Sequence, residues 1–304
     1  MKPARKLAVA AAIVIAFIVA VLIGFWARPL SYFNGLTYVQ MSLGGAKSRY
    51  VTVNGHRIHY YVMGPEAGLP VVLVHGLGGR SEDWRNLAPY LARTGFRVCM
   101  PDLPGFGRSD KPSDFSYAIP EQSETVVGFM DALGLKQVYL GGWSMGGWIA
   151  QHMAANHPER VAKLMLFDSA GIQEKPSWNT DLFTPATATE LDELDALLMP
   201  HPPAVPSFIA SDLLRVSHKR AWIMRRALAS MLSGRDATDK LLPELKMPVL
   251  IVWGAMDHIT PLSQGETIHR FIPQSLMEVV PGCGHLAPVQ CADKMGPTVA
   301  RFLK

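Results

Sequence analysis

Cysteine and net charge are both scarce in this chain of 304 residues. Its three cysteines are an odd number without the spacing of metal ligands, so the sequence predicts neither a disulfide framework nor a metal site. Lys and Arg exceed Asp and Glu by only 29 to 25, and residues 1–28 hold four of the cations and no acid. Residues 29–304 therefore contain equal numbers of basic and acidic side chains. This argues against a nucleic-acid partner, which would require a basic surface.

Charged residues make up only 18% of the chain, whereas 49% of the residues are hydrophobic. This composition excludes an intrinsically disordered chain and a collagen-like chain. The length is sufficient for one large globular domain with an additional segment.

Charge is absent altogether from residues 7–27, which form an unbroken apolar run. A helix of about 20 apolar residues crosses the hydrocarbon core of a bilayer, so residues 1–28 are predicted to be an N-terminal membrane anchor. A cleaved signal peptide is the alternative, but its apolar region is only about 7–15 residues long and ends in a small-x-small site. Here the run ends in Trp26-Ala27-Arg28. This ending favours a retained, single-pass anchor whose partner is the lipid bilayer.

The cations around the apolar run bear on its orientation. Lys2, Arg5 and Lys6 precede the run, while only Arg28 closely follows it. Such a bias predicts a cytoplasmic N-terminus and a catalytic domain on the non-cytoplasmic side. The juxtamembrane segment, residues 29–47, is rich in aromatic and aliphatic side chains and either lies on the lipid headgroups or packs under the domain.

Short apolar runs punctuated by Gly and Pro begin at Tyr50. Residues 50–53 and 57–62 flank an Asn-Gly pair, which is typical of the tight turn of an antiparallel hairpin. Six further apolar runs alternate with helical stretches, and this alternation predicts an α/β fold with a doubly wound, mostly parallel sheet. The six runs are 71–74, 98–100, 138–141, 164–167, 249–253 and 276–280.

One interval interrupts the alternation of strands and helices. Residues 171–243 contain helical spacing at 187–199 and 207–232 but no convincing strand. They are therefore predicted to be a helical cap inserted between two parts of the core, residues 48–170 and 244–304.

The chemistry begins at Gly142-Trp143-Ser144-Met145-Gly146. An apolar run leads directly into this G-x-S-x-G motif and a helical stretch leads directly out. A sharp turn between a strand and a helix exposes the serine hydroxyl at the edge of the sheet, and glycines on either side let other backbone segments approach. Ser144 is therefore predicted to be a nucleophile.

A serine nucleophile needs a general base, and the base needs an acid that orients it. His285 is the candidate base because it follows the last predicted strand, at the carboxyl edge where such sheets bind ligands. Asp257 and Asp168 each follow a strand at that edge, and both positions could reach a histidine. Asp257 is favoured because Ser, Asp, His is the chain order expected of this architecture.

Two backbone amides are expected to stabilise the oxyanion formed when a carbonyl accepts the serine. One is the amide of Met145, the residue after the nucleophile. The other is the amide of Leu77, in the Gly-rich loop after the third predicted strand. Gly76, Trp143 and Trp148 are predicted to line the substrate pocket.

From residue 48 onward the chain resembles the α/β-hydrolase superfamily. Besides the G-x-S-x-G motif, the landmarks that carry the resemblance are His75-Gly76, the Asp102 to Ser109 loop, Trp253-Gly254 and Gly282-Cys283-Gly284-His285. The resemblance implies an α/β-hydrolase fold and hydrolysis by a Ser–Asp–His triad, with no metal or organic cofactor.

With its N-terminal helix, the chain is similar to membrane-bound monoacylglycerol lipases and bacterial esterases, which implies a small-molecule lipophilic ester as substrate. The domain of the eukaryotic lipases faces the cytosol, opposite to the charge bias, so both orientations stay open. The apolar cap side chains, among them Phe208, Leu228 and Met231, either face the active site or dock the cap onto the core.

Other functions of this superfamily fit less well. Haloalkane dehalogenases and epoxide hydrolases use an aspartate where Ser144 stands. Meta-cleavage C–C hydrolases share the serine, but a tryptophan usually follows their base, where Leu286 stands here. C–C, amide and perhydrolase chemistry are the alternatives to ester hydrolysis. A non-catalytic binding protein is disfavoured because the three triad residues are all present.

Overall fold

The computed structural model describes residues 3–304, with an eight-stranded sheet at the centre. The strand order is β1-β2-β4-β3-β5-β6-β7-β8. Strand β2 is antiparallel to β1 and β4, and all other neighbours are parallel. The strands are β1 (Lys47–Val53), β2 (His56–Met63), β3 (Pro70–Val74), β4 (Arg97–Pro101), β5 (Val138–Trp143), β6 (Val161–Phe167), β7 (Val249–Gly254) and β8 (Leu276–Val280). The predicted α/β class, with its opening hairpin, is confirmed.

Ten α-helices accompany the sheet in the described part of the chain. They are α1 (Pro3–Ala27), α2 (Pro29–Leu43), α3 (Ala88–Arg93), α4 (Ile119–Ala132), α5 (Met145–Asn156), α6 (Ala188–Leu198), α7 (Ser207–Leu232), α8 (Leu262–Phe271), α9 (Ala287–Gln290) and α10 (Ala292–Leu303). Short 3₁₀ helices occupy Ser81–Arg85, Pro158–Arg160, Thr180–Phe183 and Leu242–Glu244.

The hydrophobic core has two layers because successive strand residues point to opposite faces of the sheet. In β3, Val72 and Val74 pack into the layer that contains helices α4, α5 and α8. Val71 and Leu73 pack into the layer that contains α3 and α10. Burial on both faces explains why the central strands are continuous apolar runs.

The apolar N-terminal run is helical, and residues 9–27 are long and apolar enough to cross a membrane, with none of that span buried in the protein. Helix α1 ends at Ala27, and α2 starts at Pro29 after Arg28 adopts a non-helical backbone. Within α2, Met41 is only 1% exposed and belongs to the core. The juxtamembrane segment therefore packs under the domain, although most of its aromatic and aliphatic side chains remain exposed.

Helix α7 is the main element of the cap, and no strand lies between β6 and β7 in the described chain. Its first turns pack on the N-terminal helices. The ring of Phe208 lies 5.7 Å from that of Phe25 and 4.3 Å from that of Trp26. The Asp212 carboxylate accepts a hydrogen bond from the Leu30 amide at 3.1 Å. Part of the apolar surface of the cap thus holds the N-terminal helices rather than the core.

The turn between β5 and α5 brings three backbone segments into close contact. A Cβ on Gly146 would overlap the carbonyl oxygen of Val74, and a Cβ on Gly142 would overlap that of Gly146. These glycines therefore allow β3, β5 and α5 to meet at the serine between them.

We expect Gly146→Ala to lower the free energy of unfolding, because the methyl group would push β3 away from α5. Overpacking of this kind typically costs about 1–3 kcal/mol. Thermal denaturation in detergent, followed by circular dichroism, measures the change. Gly35→Ala is the matched control, because, apart from the two adjacent residues and the backbone of its own helix, no atom of the described residues lies within 4 Å of the added Cβ. Equal melting temperatures for the two variants would contradict the packing argument.

Candidate active site

Ser144 occupies the turn between β5 and α5 with a strained backbone, φ 55° and ψ −119°. This is the left-handed region that non-glycine residues rarely adopt. The strain directs the hydroxyl out of the sheet, and Ser144 Oγ lies 2.9 Å from His285 Nε2. Ser144 also precedes the first turn of α5, whose free amides provide positive potential.

His285 lies between the serine and a carboxylate. Its Nδ1 is 2.8 Å from Asp257 Oδ2, and because a carboxylate only accepts, Nδ1 carries the proton. The lone pair of Nε2 therefore faces the serine hydroxyl. The histidine is only 2% exposed, so bulk water does not compete for these contacts.

The Asp257 carboxylate is held by three further donors. Its Oδ1 accepts hydrogen bonds from the amides of Ile259 and Thr260 at 2.8 and 2.9 Å. Its Oδ2 accepts one from the Thr260 hydroxyl at 2.7 Å. Such donors stabilise the ionised form of a carboxyl group. Thr260 was not predicted as a site residue, because nothing in its sequence neighbourhood distinguishes it from a helix-capping residue.

The alternative acid, Asp168, makes no hydrogen bond to His285. Its Oδ1 accepts a hydrogen bond from the Gly254 amide at 2.6 Å, while Oδ2 has no partner among the described residues. Burial, followed by the negative charge of Asp257, raises the pKa of Asp168 well above its usual range. The two neighbouring carboxyl groups therefore differ in their surroundings, and only Asp257 is bound to the histidine.

The predicted oxyanion loop approaches the serine closely. A Cβ on Gly76 would lie 3.1 Å from the Cβ of Ser144. His75 holds the loop, because its Nε2 accepts a hydrogen bond from the Leu103 amide while Nδ1 donates to the Gly76 carbonyl, at 3.0 and 2.8 Å. Leu77 follows Gly76 and lines the same cavity as Ser144. Sequence reasoning did not assign this role to His75.

Ser144 opens into a cavity of about 460 Å³ between the sheet edge and the cap. Its lining is mostly apolar and comes from both parts of the core and from the cap. The apolar lining residues are Leu77, Trp148, Ala170, Ile172, Pro176, Trp178, Phe183, Leu228, Met231, Leu232, Ala237 and Ile259.

Of the three predicted pocket residues, only Trp148 lines this cavity. The prediction is wrong for Trp143, because the residue before the serine still follows the alternation of β5 and points into the opposite core layer. There its indole Nε1 donates to the carbonyl of His285 at 2.8 Å. Gly76 is not among the lining residues either, although its backbone lies against Ser144.

The cap supplies Leu228, Met231 and Leu232 from the last turns of α7. Phe208, at the other end of the helix, packs against α1 instead. The apolar side chains of the cap are therefore divided between the cavity and the N-terminal helices. The irregular segment before α6 also contributes to the cavity, through Trp178, whose Nε1 donates to the Ile259 carbonyl at 2.9 Å.

A disulfide joins Cys283 to Cys291 and encloses the loop that carries His285. The sequence does not predict a disulfide framework and leaves the redox state of these two cysteines open, and the third cysteine, Cys99, is free and buried. The carbonyl of Cys283 also accepts a hydrogen bond from the Met256 amide at 2.8 Å. The histidine loop is thus tied both to the aspartate loop and to the start of α10.

A second Ser–His–Asp contact exists at the far edge of the sheet. Ser48 Oγ lies 2.9 Å from His59 Nε2, and His59 Nδ1 lies 2.8 Å from Asp102 Oδ2. Asp102 also accepts hydrogen bonds from the amides of Ser81 and Arg108. Ser48 is exposed within a regular strand and does not lie on a strained turn, and Asp102 binds two loop amides, so we interpret this group as one that stabilises loops.

A serine on a strained strand–helix turn, a histidine within hydrogen-bond distance and a buried carboxylate together define the class of the protein as an α/β-fold hydrolase. The chain belongs to the family described as alpha/beta hydrolase fold, whose family model matches residues 70–232 and 229–290.

Individual relatives include bacterial lipases and C–C hydrolases. Lipase 1 of Psychrobacter immobilis is 27% identical over 82% of this chain and 81% of its own length. A 2-hydroxy-6-oxo-6-phenylhexa-2,4-dienoate hydrolase of Burkholderia cepacia is 30% identical over 84% of this chain and 96% of its own. The solved structure of a membrane phospholipase A, described as a bacterial virulence factor, is 26% identical, with a TM-score of 0.83 and 98% of both chains covered.

The two carboxylates should respond very differently to amidation. We expect Asp257→Asn to lower kcat by about 10³-fold or more, because an amide NH₂ would face the donors that now surround the carboxylate. Asp168→Asn should change kcat less than about 10-fold, since this side chain makes no hydrogen bond to His285 and an amide oxygen can still accept from the Gly254 amide. Steady-state hydrolysis of a p-nitrophenyl ester measures both. The opposite ranking would assign the acid role to Asp168.

Proposed function

We propose that this chain is a membrane-anchored serine hydrolase that cleaves carboxylic esters with lipophilic acyl chains, such as monoacylglycerols. The observation that carries the proposal is the hydrogen-bonded series Ser144, His285, Asp257 opening into an apolar cavity. The lipase and membrane phospholipase relatives support it.

In the first half of the reaction, His285 Nε2 takes the proton of Ser144 while Oγ attacks the ester carbonyl. The developing oxyanion is stabilised by the amides of Met145 and Leu77. The Asp257 carboxylate stays ionised and stabilises the imidazolium. When the tetrahedral intermediate collapses, the imidazolium gives its proton to the departing alcohol, and an acyl-Ser144 ester remains.

In the second half, a water molecule takes the place of the alcohol. His285 accepts a proton from this water, which attacks the acyl-enzyme carbonyl. The second tetrahedral intermediate expels Ser144 Oγ, which recovers its proton from His285. The products are a carboxylic acid and an alcohol, and no cofactor is needed.

The C–C hydrolase relative suggests an alternative reaction, but the cavity favours an ester. A dienoate substrate carries a carboxylate that needs a positive partner. Among the described lining residues the cation is Lys175, and it is exposed at the mouth. The deeper lining is apolar and suits an acyl chain.

We further propose that α1 anchors the protein and that the hydrolase domain lies on the non-cytoplasmic side. The charge bias around α1 supports this orientation. The Cys283–Cys291 disulfide supports it too, because disulfides persist in oxidising compartments and are rare in the cytosol.

We expect the length of the acyl chain to determine the rate. In a series of p-nitrophenyl esters, kcat/KM should rise from acetate to a medium or long chain, because each buried methylene contributes up to about 0.8 kcal/mol. Ser144→Ala, in which the nucleophile is missing, is the control and should be inactive throughout. A maximum at acetate would exclude a lipophilic substrate, and an active Ser144→Ala variant would exclude the mechanism.

The location of the domain can be tested through its cysteines. Cells producing the full chain are quenched in acid, and the unfolded protein is treated with a thiol-reactive polyethylene glycol before and after reduction. We expect one reactive thiol before reduction and three after it, because only Cys99 is free. Cys99→Ser should remove the first of these signals. Three reactive thiols before reduction would contradict both the disulfide and the oxidising location.

A further inference from the structure

Gln264 is a buried polar residue of the cavity whose side chain makes no hydrogen bond to the described residues. It lies in the first turn of α8, lines the cavity and is only 8% exposed. Its backbone amide donates to the Pro261 carbonyl. Within residues 3–304, however, no hydrogen bond involves its carboxamide. Because Gln264 lines the cavity, water or a ligand can supply the partner that the protein does not.

The other polar side chains of the cavity are accounted for. The Thr260 hydroxyl is bound to Asp257, and the Ser233 hydroxyl donates to the Ser230 carbonyl. Gln173, Glu174 and Lys175 are exposed at the mouth. Among the described lining residues, Gln264 is thus the buried polar side chain that remains free for a ligand.

The position of Gln264 identifies the part of the substrate that it would meet. It follows Thr260 by four residues, and Thr260 also lines the cavity and has its hydroxyl 3.2 Å from His285 Nδ1. Gln264 is therefore on the histidine side of the cavity. Because His285 must protonate the departing alcohol, the alcohol part of an ester also lies on this side. The acyl chain is left with the apolar lining supplied by Trp148, Leu228 and the rest of the cap.

We propose that the Gln264 carboxamide binds a free hydroxyl on the alcohol part of the substrate and so selects esters of glycerol over esters of simple alcohols. A carboxamide both donates and accepts hydrogen bonds, as does a hydroxyl. A substrate that fills the cavity displaces water from the carboxamide, and an alcohol without a second hydroxyl would then leave the carboxamide unpaired, which disfavours that substrate. The proposal rests on the ester hydrolysis proposed above and specifies its substrate.

The test compares two esters of the same fatty acid, a 1-monoacylglycerol and the propyl ester, which lacks the two free hydroxyls. In the wild type we expect kcat/KM to favour the glycerol ester. Gln264→Met keeps the length of the side chain but removes its hydrogen-bonding groups. This variant should reduce the ratio of the two kcat/KM values by about 10-fold or more, while the propyl ester stays within about twofold of wild type.

Gln274→Met is the matched control, because Gln274 lies outside the cavity and donates to the Leu245 carbonyl. It should leave the ratio unchanged. The rate at which a fluorophosphonate labels Ser144 shows whether the active site is intact in each variant. If Gln264→Met does not fold, Gln264→Leu takes its place.

Equal losses on both esters would show that Gln264 only supports the fold, and an unchanged ratio would show that it does not contact the alcohol. Either result overturns the proposal while ester hydrolysis stands. If the wild type hydrolyses neither ester faster than Ser144→Ala does, ester hydrolysis itself fails, and the role of Gln264 is overturned with it.

Discussion

The strained backbone of Ser144 is the constraint on which the rest of the site depends. A residue with φ 55° between a strand and a helix is stable only if the surrounding backbone holds it there. Gly142 and Gly146 make this possible, because they let β3, β5 and α5 come closer than any side chain would allow. The same close approach brings Gly76 against the serine. One packing arrangement thus positions both the nucleophile and the expected oxyanion loop.

The two buried aspartates show how surroundings assign different roles to identical side chains. Asp257 receives four hydrogen bonds, including the one from His285, and these stabilise its charge. Asp168 receives one from the Gly254 amide, and burial together with the charge of its neighbour raises its pKa well above the usual range. Two adjacent buried carboxyl groups avoid mutual repulsion when only one of them is ionised.

Helix α7 connects the N-terminal helices to the cavity. Its first turn holds Phe208 between Phe25 and Trp26, and its last turns place Leu228 and Met231 at the cavity. The wall of the cavity and the contact with the apolar helix α1 therefore belong to one rigid element. If α1 spans a bilayer as proposed, the cavity has a defined position relative to the lipid surface.

Apolar periodicity and glycine spacing are local properties of the chain, and they were enough to predict the eight strands, the helical region between β6 and β7 and the strand–turn–helix at Ser144. The order of the strands also limited the acid to two aspartates at one edge of the sheet. Three features appear only in the folded chain: the contact of Asp257 with His285, the support of the histidine by Trp143, and the bond between Cys283 and Cys291. These outcomes depend on how segments separated along the chain pack together, and no local pattern records that packing.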